Sequence, residues 1–441
     1  SFYSRTQVND KSWLKTPPED VPLTDIAHRI EQGLDVHNTM VGSVHHWLLP
    51  ADGWGAASGS SEARKLEPEA VKDLKAWQRR IRAKPTKKQL DRLVGVSAHA
   101  EELWALAYKR LTVAARESAR DIEVWGREAR PTSSLDRPVT REQIEESLAD
   151  VDGAYQRLRR VMDAWCALWF WPLTEEHIQP PTLDEWIDAA EQILGNDVLA
   201  RRQNKGTEIL SPANTWEALA EHESFVLASA GALPVRRVLE QHPWLRVCER
   251  VAAEQGFFHW QLDFAPVFGR GGFDLQVGNP PWVRPDVNEN ALLAEGDPWW
   301  QLANKPSEAA KKARRDGTLS FPGIREGLMD GAGETVALRV FVGDIVNYPA
   351  LDRLRPDLYR CFMTRTWRHN STLGAVGLLH PESHFTDDKA GKLRAEAYVR
   401  LRRHWQFGND LKLFVEVDNH VSYGVHVYQE ERNEPRFLNA V

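Results

Sequence analysis

Between Val277 and Val283 the chain reads Gly278-Asn279-Pro280-Pro281-Trp282. The amide oxygen of an asparagine and a proline carbonyl are two hydrogen-bond acceptors. Together they can take both protons of a planar exocyclic amine. Holding those protons draws the nitrogen lone pair out of conjugation with its ring and makes it a nucleophile. A tryptophan face beside it can stack on the heterocycle. Two adjacent prolines neither continue a strand ladder nor enter a helix interior, and they press Asn279 into an extended conformation. The result is a stiff clamp. A methyl sulfonium in line with the amine would accept its attack, and the proton would leave afterwards, so no base with a displaced pKa is required. An adenine fits once it has left the duplex, at a cost of about a few kcal/mol that stacking at roughly 1–3 kcal/mol partly offsets. The bland alternative is a rigid strand-to-loop turn with no chemistry.

The clamp needs a strand to carry it. The apolar run Phe273–Val277 reads as that strand and places Asn279 at its carboxyl end, where open α/β sheets bind ligands. "FFHWQLDF" at 257–264 reads as another strand. Downstream the pattern predicts a helix over about 352–369, a strand over 374–380, a helix over 390–403, and strands over 411–417 and 423–428. This alternation points to an α/β fold with an open sheet in the last third, its edge closed by the final antiparallel pair. Residues 1–65 read as irregular, with one short helix near Leu23–Leu34. Residues 66–255 read as nearly all helical. The helix after Thr140 carries an apolar stripe from Ile144 to Trp169 in steps of 4 and 3, and a second long helix runs from Ala98 to about Arg127. Shorter helices follow over 183–194, 215–230 and 235–255. Residues 256–441 then carry the sheet.

At 441 residues the chain exceeds one ordinary core. No apolar run reaches the length of a membrane span. Three cysteines, Cys166, Cys248 and Cys361, have neither disulfide nor metal spacing, which fits a reducing cytoplasm. A net charge of −7 argues against a generic polyanion binder, so a nucleic-acid site must be a local patch. Most of the 18 tryptophans are expected in the core.

"GGFD" followed by "VGNPPW" resembles the catalytic motif of N6-adenine DNA methyltransferases, and its approach resembles that of the long type IIG restriction–methylation proteins and the adenine methyltransferases of BREX- and DISARM-like phage defence. The resemblance covers about 257–428. It implies a partial Rossmann-like methyltransferase sheet in the C-terminal third with a large all-helical region N-terminal to it. It also implies S-adenosyl-L-methionine as donor, double-stranded DNA as substrate, and other defence-system subunits as partners. In this family's terms Asn279, Pro280, Pro281 and Trp282 are catalytic: Asn279 and the Pro280 carbonyl bind the amine and Trp282 stacks on the base. The family's donor loop, a strand followed by D/E-x-x-x-G-x-G, is not found before Gly278. "DGAGE" at 330–334 has the glycines, but no convincing strand precedes it. The donor loop is therefore expected upstream of Ser1, with the helical residues as an insertion.

Arg284, Arg360, Arg365 and Arg368 are the candidate DNA contacts, the last three on one helix. The basic run Lys72–Lys88, with Trp77 inside it, reads either as a phosphate track or as a solvated helix face. Adjacent His45 and His46 point opposite ways on an extended chain and are not expected to share a ligand; His259 reads as a core histidine, and no metal site is expected. Ser383 between His380 and His384 lacks a nucleophile elbow. The segment 305–316 is charged and expected to be mobile. Two further readings stay open: a non-catalytic docking or DNA-binding module of a defence complex, and a methyltransferase acting on a protein amide.

Overall fold

The computed structural model describes residues 4–7, 19–21, 23–32, 43–118, 139–197, 216–355, 357–415 and 417–441. The chain forms two compact units that interleave in sequence: residues 1–50, 83–167 and 181–271, and residues 51–82, 168–180 and 272–441. The composition of the chain changes at about 65 and 255; packing divides it elsewhere.

In the first unit, strands β1 (Ser4–Gln7), β2 (Glu19–Asp20) and β3 (Ser43–His45) make a small antiparallel sheet in the order β2-β1-β3. Sequence reasoning missed this sheet. The helix Leu23–Glu31 lies where it was expected, and the rest of that span lies outside the described residues. A long helix, Lys87–Ser118, packs against helices Ala154–Ala167 and Leu183–Leu194. The expected extension to Arg127 falls outside the described residues. The helix opening at Thr140 has its capping box with Gln143 but ends at Ala149. Gly153 closes a turn onto Asp150, and the carboxylate of buried Glu223 then takes the first N–H of Ala154. The first half of the stripe is consequently not buried, and Val151 is exposed. The helix expected over 235–255 is two, Val235–Gln241 and Trp244–Gln255, parted at Pro243. Trp104, Trp165 and Trp186 donate their indole N–H to the carbonyls of Gln261, Leu49 and Leu48, which lets large apolar rings sit in the core without an unpaired donor.

The stretch 257–264 is not a strand. Asp263 accepts from the N–H of His259 at 2.9 Å and from the Tyr155 hydroxyl at 2.5 Å, closing a short helix over Trp260–Asp263. His259 is buried on Asp163, a satisfied core histidine.

The second unit holds a five-stranded sheet in the order β4-β5-β7-β6-β8, with β4 Phe273–Gly278, β5 Asn370–Pro381, β6 Leu401–Gly408, β7 Ser422–Tyr428 and β8 Leu438–Ala440. β4 runs parallel to β5, and β7 runs antiparallel to both β5 and β6. Entry into β4 demands glycine: Gly272 has φ +116°, and a Cβ there would stand 2.5 Å from the His369 carbonyl oxygen. Helix Leu358–His369 lies on one face of the sheet, over a core of Tyr359, Met363, Val376, Leu378, Leu401 and Tyr428. Leu275 and Val277 point to the other face and are exposed.

The antiparallel partner of β7 is β6, not the run 411–417. Fully buried Asn409 donates its amide to the carbonyls of Phe414 and Val417 and accepts from the N–H of Phe414, so these backbone groups are unavailable to a ladder. Most of the segment 305–316, expected to be mobile, lies in a capped helix, Glu308–Leu319, whose Arg314 pairs with Asp297 at 2.5 Å. Trp77 of the basic run is buried and stacks on Trp54, so its ring is not available to a base. Among the described residues no helix is long and apolar enough to cross a membrane.

Asp344, beyond helix Ile324–Val342, is largely removed from water. Burial, helped by the charge of Asp52, pushes its carboxyl up to about 6. Such a group adds stability below the ordinary carboxylate range and loses it as pH rises through about 6. Asp344→Asn should therefore stabilise the fold by about 1–2 kcal/mol at pH 8 and change little at pH 3, as read by thermal denaturation at both values.

Candidate active site

The parallel register of β4 on β5 pairs Gly278 with Leu378, so the two strands deliver their next residues side by side at one end of the sheet. From β4 comes Asn279-Pro280-Pro281-Trp282, and from β5 comes His380-Pro381-Glu382-Ser383. Asn279 is exposed, and its side chain has no hydrogen-bond partner among the described residues. Pro280 is buried and Pro281 is exposed. Trp282 is half-buried and donates its indole N–H to the Leu379 carbonyl at 3.2 Å. The turn is held again where Val283 accepts from the N–H of Leu358 at 2.9 Å. With its neighbours fixed on both sides, the free amide of Asn279 is presented to solvent from a rigid base.

Trp282 is not an isolated stacking face. Its ring lies 4.5 Å from Phe414 and 5.5 Å from Tyr423, centroid to centroid, and Tyr423 stacks in turn on Phe407. Sequence reasoning missed Phe414 and Tyr423. Tyr423 was placed on a strand without a role, and Phe414 was assigned to a strand that is in fact the Asn409-pinned loop.

The four arginines fare differently. Arg360 is buried; it donates to Asp387 at 2.9 Å, to the Tyr359 hydroxyl at 3.0 Å and to Ser383 at 3.2 Å, and it locks the loop after β5 rather than facing a polyanion. Ser383 is thereby a structural hydroxyl, 2.8 Å from that of Tyr359. Arg284 pairs with Asp357 at 2.8 Å at the surface. Arg365 covers the Tyr348 ring at 4.7 Å, and both it and Arg368 are partly exposed.

"DGAGE" lies in the middle of helix Ile324–Val342. Its backbone N–H groups are spent within that helix, and its glycines admit close neighbours: a Cβ on Gly331 would stand 2.6 Å from Leu292, and one on Gly333 would stand 3.3 Å from Ala57. Among the described residues no strand runs into a glycine-rich turn that could cradle S-adenosylmethionine.

A family model described as Eco57I restriction-modification methylase matches residues 217–314. That stretch contains Asn279–Trp282 and Arg284 and covers less than half of the chain. No curated protein and no solved structure matches the chain. The chain therefore carries a methylase region of the restriction-modification type. A methylase of this type acts on DNA.

The contrast between the arginines can be measured. Removing one partner of a buried ionic network leaves uncompensated charge, whereas a surface pair contributes little. Arg360→Met should lower the unfolding free energy by about 3 kcal/mol and Arg284→Met by less than about 1 kcal/mol in urea titrations.

Proposed function

We propose that this chain is the target-base part of an adenine-specific DNA methyltransferase of a restriction-modification or phage-defence system. Residues 256–441 grip a flipped adenine, whose N6 takes a methyl group from S-adenosylmethionine. The observation that carries this reading is the exposed, unpartnered amide of Asn279 on a proline-stiffened turn at the carboxyl end of a parallel strand, inside the stretch that matches a methylase family.

The amide oxygen of Asn279 and the Pro280 carbonyl accept the two protons of the adenine amine. The nitrogen lone pair is then directed away from the ring. Trp282 covers the base, with Phe414 and Tyr423 backing it. The donor supplies an electrophilic methyl when bound. Arg284, Arg365 and Arg368 are the proposed phosphate contacts; Arg360 is not.

The test uses the polypeptide that joins this chain to its donor loop, with single-turnover transfer of labelled methyl to duplex DNA. Asn279→Ala should slow transfer at least 100-fold, about 2.7 kcal/mol of lost transition-state stabilisation, and leave DNA affinity nearly unchanged. Retained activity would refute the assignment. Trp282→Ala should weaken base capture, seen as a loss of 2-aminopurine fluorescence enhancement at the target position. It should also lower the melting temperature, because the indole holds the turn to β5.

A further inference from the structure

Four histidines and a glutamate crowd the same end of the sheet, on the face covered by helix Leu358–His369. β7 brings His426 beside His404 of β6, and β5 contributes His380, whose ring stacks on His426 with centroids 3.8 Å apart. Glu382 follows β5 directly. The ligating atoms of Glu382, His404 and His426 all lie within 4.8 Å of one another, and His404 and His426 are buried.

The proton position at His426 leaves a ring lone pair unused, whereas the His404 Nε2 proton accepted by Glu382 would leave on metal binding. His426 Nδ1 is 2.9 Å from the Gly424 carbonyl, which can only accept, so Nδ1 carries the proton and Nε2 a lone pair. That Nε2 is buried without a hydrogen-bond partner among the described residues, an arrangement that is costly if nothing fills it. His404 Nδ1 faces the Asn439 side-chain oxygen at 2.5 Å, and its Nε2 faces Glu382 Oε1 at 2.6 Å. The other Glu382 oxygen accepts from Gln406 at 2.6 Å. Each of the three groups is thus oriented by an outer hydrogen bond, the arrangement that holds metal ligands in register. Gly424 leaves the space: a Cβ there would stand 2.7 Å from His404 Nε2 and 2.8 Å from His426 Cε1.

We propose that Glu382, His404 and His426 bind a divalent first-row ion of the zinc class. Two imidazole nitrogens and one carboxylate oxygen form a donor set suited to zinc with a fourth position open. Tetrahedral ligands at about 2.0–2.1 Å lie ~3.4 Å apart, so no pair of ligating atoms needs to shift by more than about 1.5 Å. His384, buried with neither nitrogen partnered among the described residues, has its ring 5.6 Å from that of His426 and offers a further nitrogen, whereas the His380 nitrogens, on the ring nearer to His426, already face the Pro381 carbonyl and the Tyr428 hydroxyl. The ion would tie the loop after β5 to β6 and β7, behind the carbonyl of Leu379 that receives the Trp282 indole. No change occurs in the atoms of the methyl-transfer reaction, so this site stands apart from the proposed function.

The full 441-residue chain, stripped with chelator and reloaded with Zn2+, should retain about one equivalent after desalting, measured by mass spectrometry of the metal. Co2+ in place of Zn2+ should give the visible absorption of a low-coordinate nitrogen-oxygen site in the wild-type chain, a readout that needs no variant. His426→Gln and His404→Gln should each lower the retained metal at least tenfold, and His380→Gln should leave it unchanged. Failure of the wild-type chain to retain zinc and to give the cobalt spectrum would overturn the proposal. So would retention that survives both His404→Gln and His426→Gln.

Discussion

The hydrogen bond from the Trp282 indole to the Leu379 carbonyl joins the ends of two parallel strands, and the candidate site rests on that bond. A strand end that runs into two prolines has lost its ladder donors, and nothing in its own backbone holds it to the neighbouring strand. The indole N–H restores one donor across the gap. Because the bond reaches the main chain of β5, the position of Asn279 is set by the sheet and not by a flexible loop. The buried Arg360 network performs the matching task on the β5 side, fixing the segment through Ser383 and Asp387.

Much of this arrangement was legible in the sequence because its causes are local. The Asn-Pro-Pro-Trp turn follows from ring geometry, and the helix Leu183–Leu194 lies where it was read, its start closed by a capping box of Thr182 and Glu185. β5, β7 and the helix Leu358–His369 were placed to within a few residues, apart from the late start of the helix after Asp357. The match of 217–314 to a methylase family starts upstream of the stretch on which the resemblance was read, and it covers the turn itself.

The misses share a different cause. A polar side chain far away in sequence, or buried against expectation, decided the local structure. Asn409 turned an apolar run into a loop, Asp263 turned an aromatic run into a helical turn, and Glu223 broke a helix whose stripe continued without interruption. β6 was hidden because its inward positions include His404, a residue that reads as surface. The same blindness applies to Glu382, His404 and His426. They stand 22 residues apart in each step, on a loop and two strands, and only the antiparallel pairing of β6 with β7 makes them neighbours.

β4 pairs with β5 alone among the described residues, and its outward backbone groups lie beside the exposed Leu275 and Val277. Asp274, which accepts from the Ser371 hydroxyl, and a register shift between Phe273 and Leu275 interrupt only the start of the strand; from Leu275 to Gly278 it carries neither proline nor charge. An edge of that kind is adhesive, since any extended chain that reaches it gains both a ladder and apolar cover. During synthesis the order of arrival therefore matters. Two nascent copies that meet along this side before folding is complete can pair edge to edge.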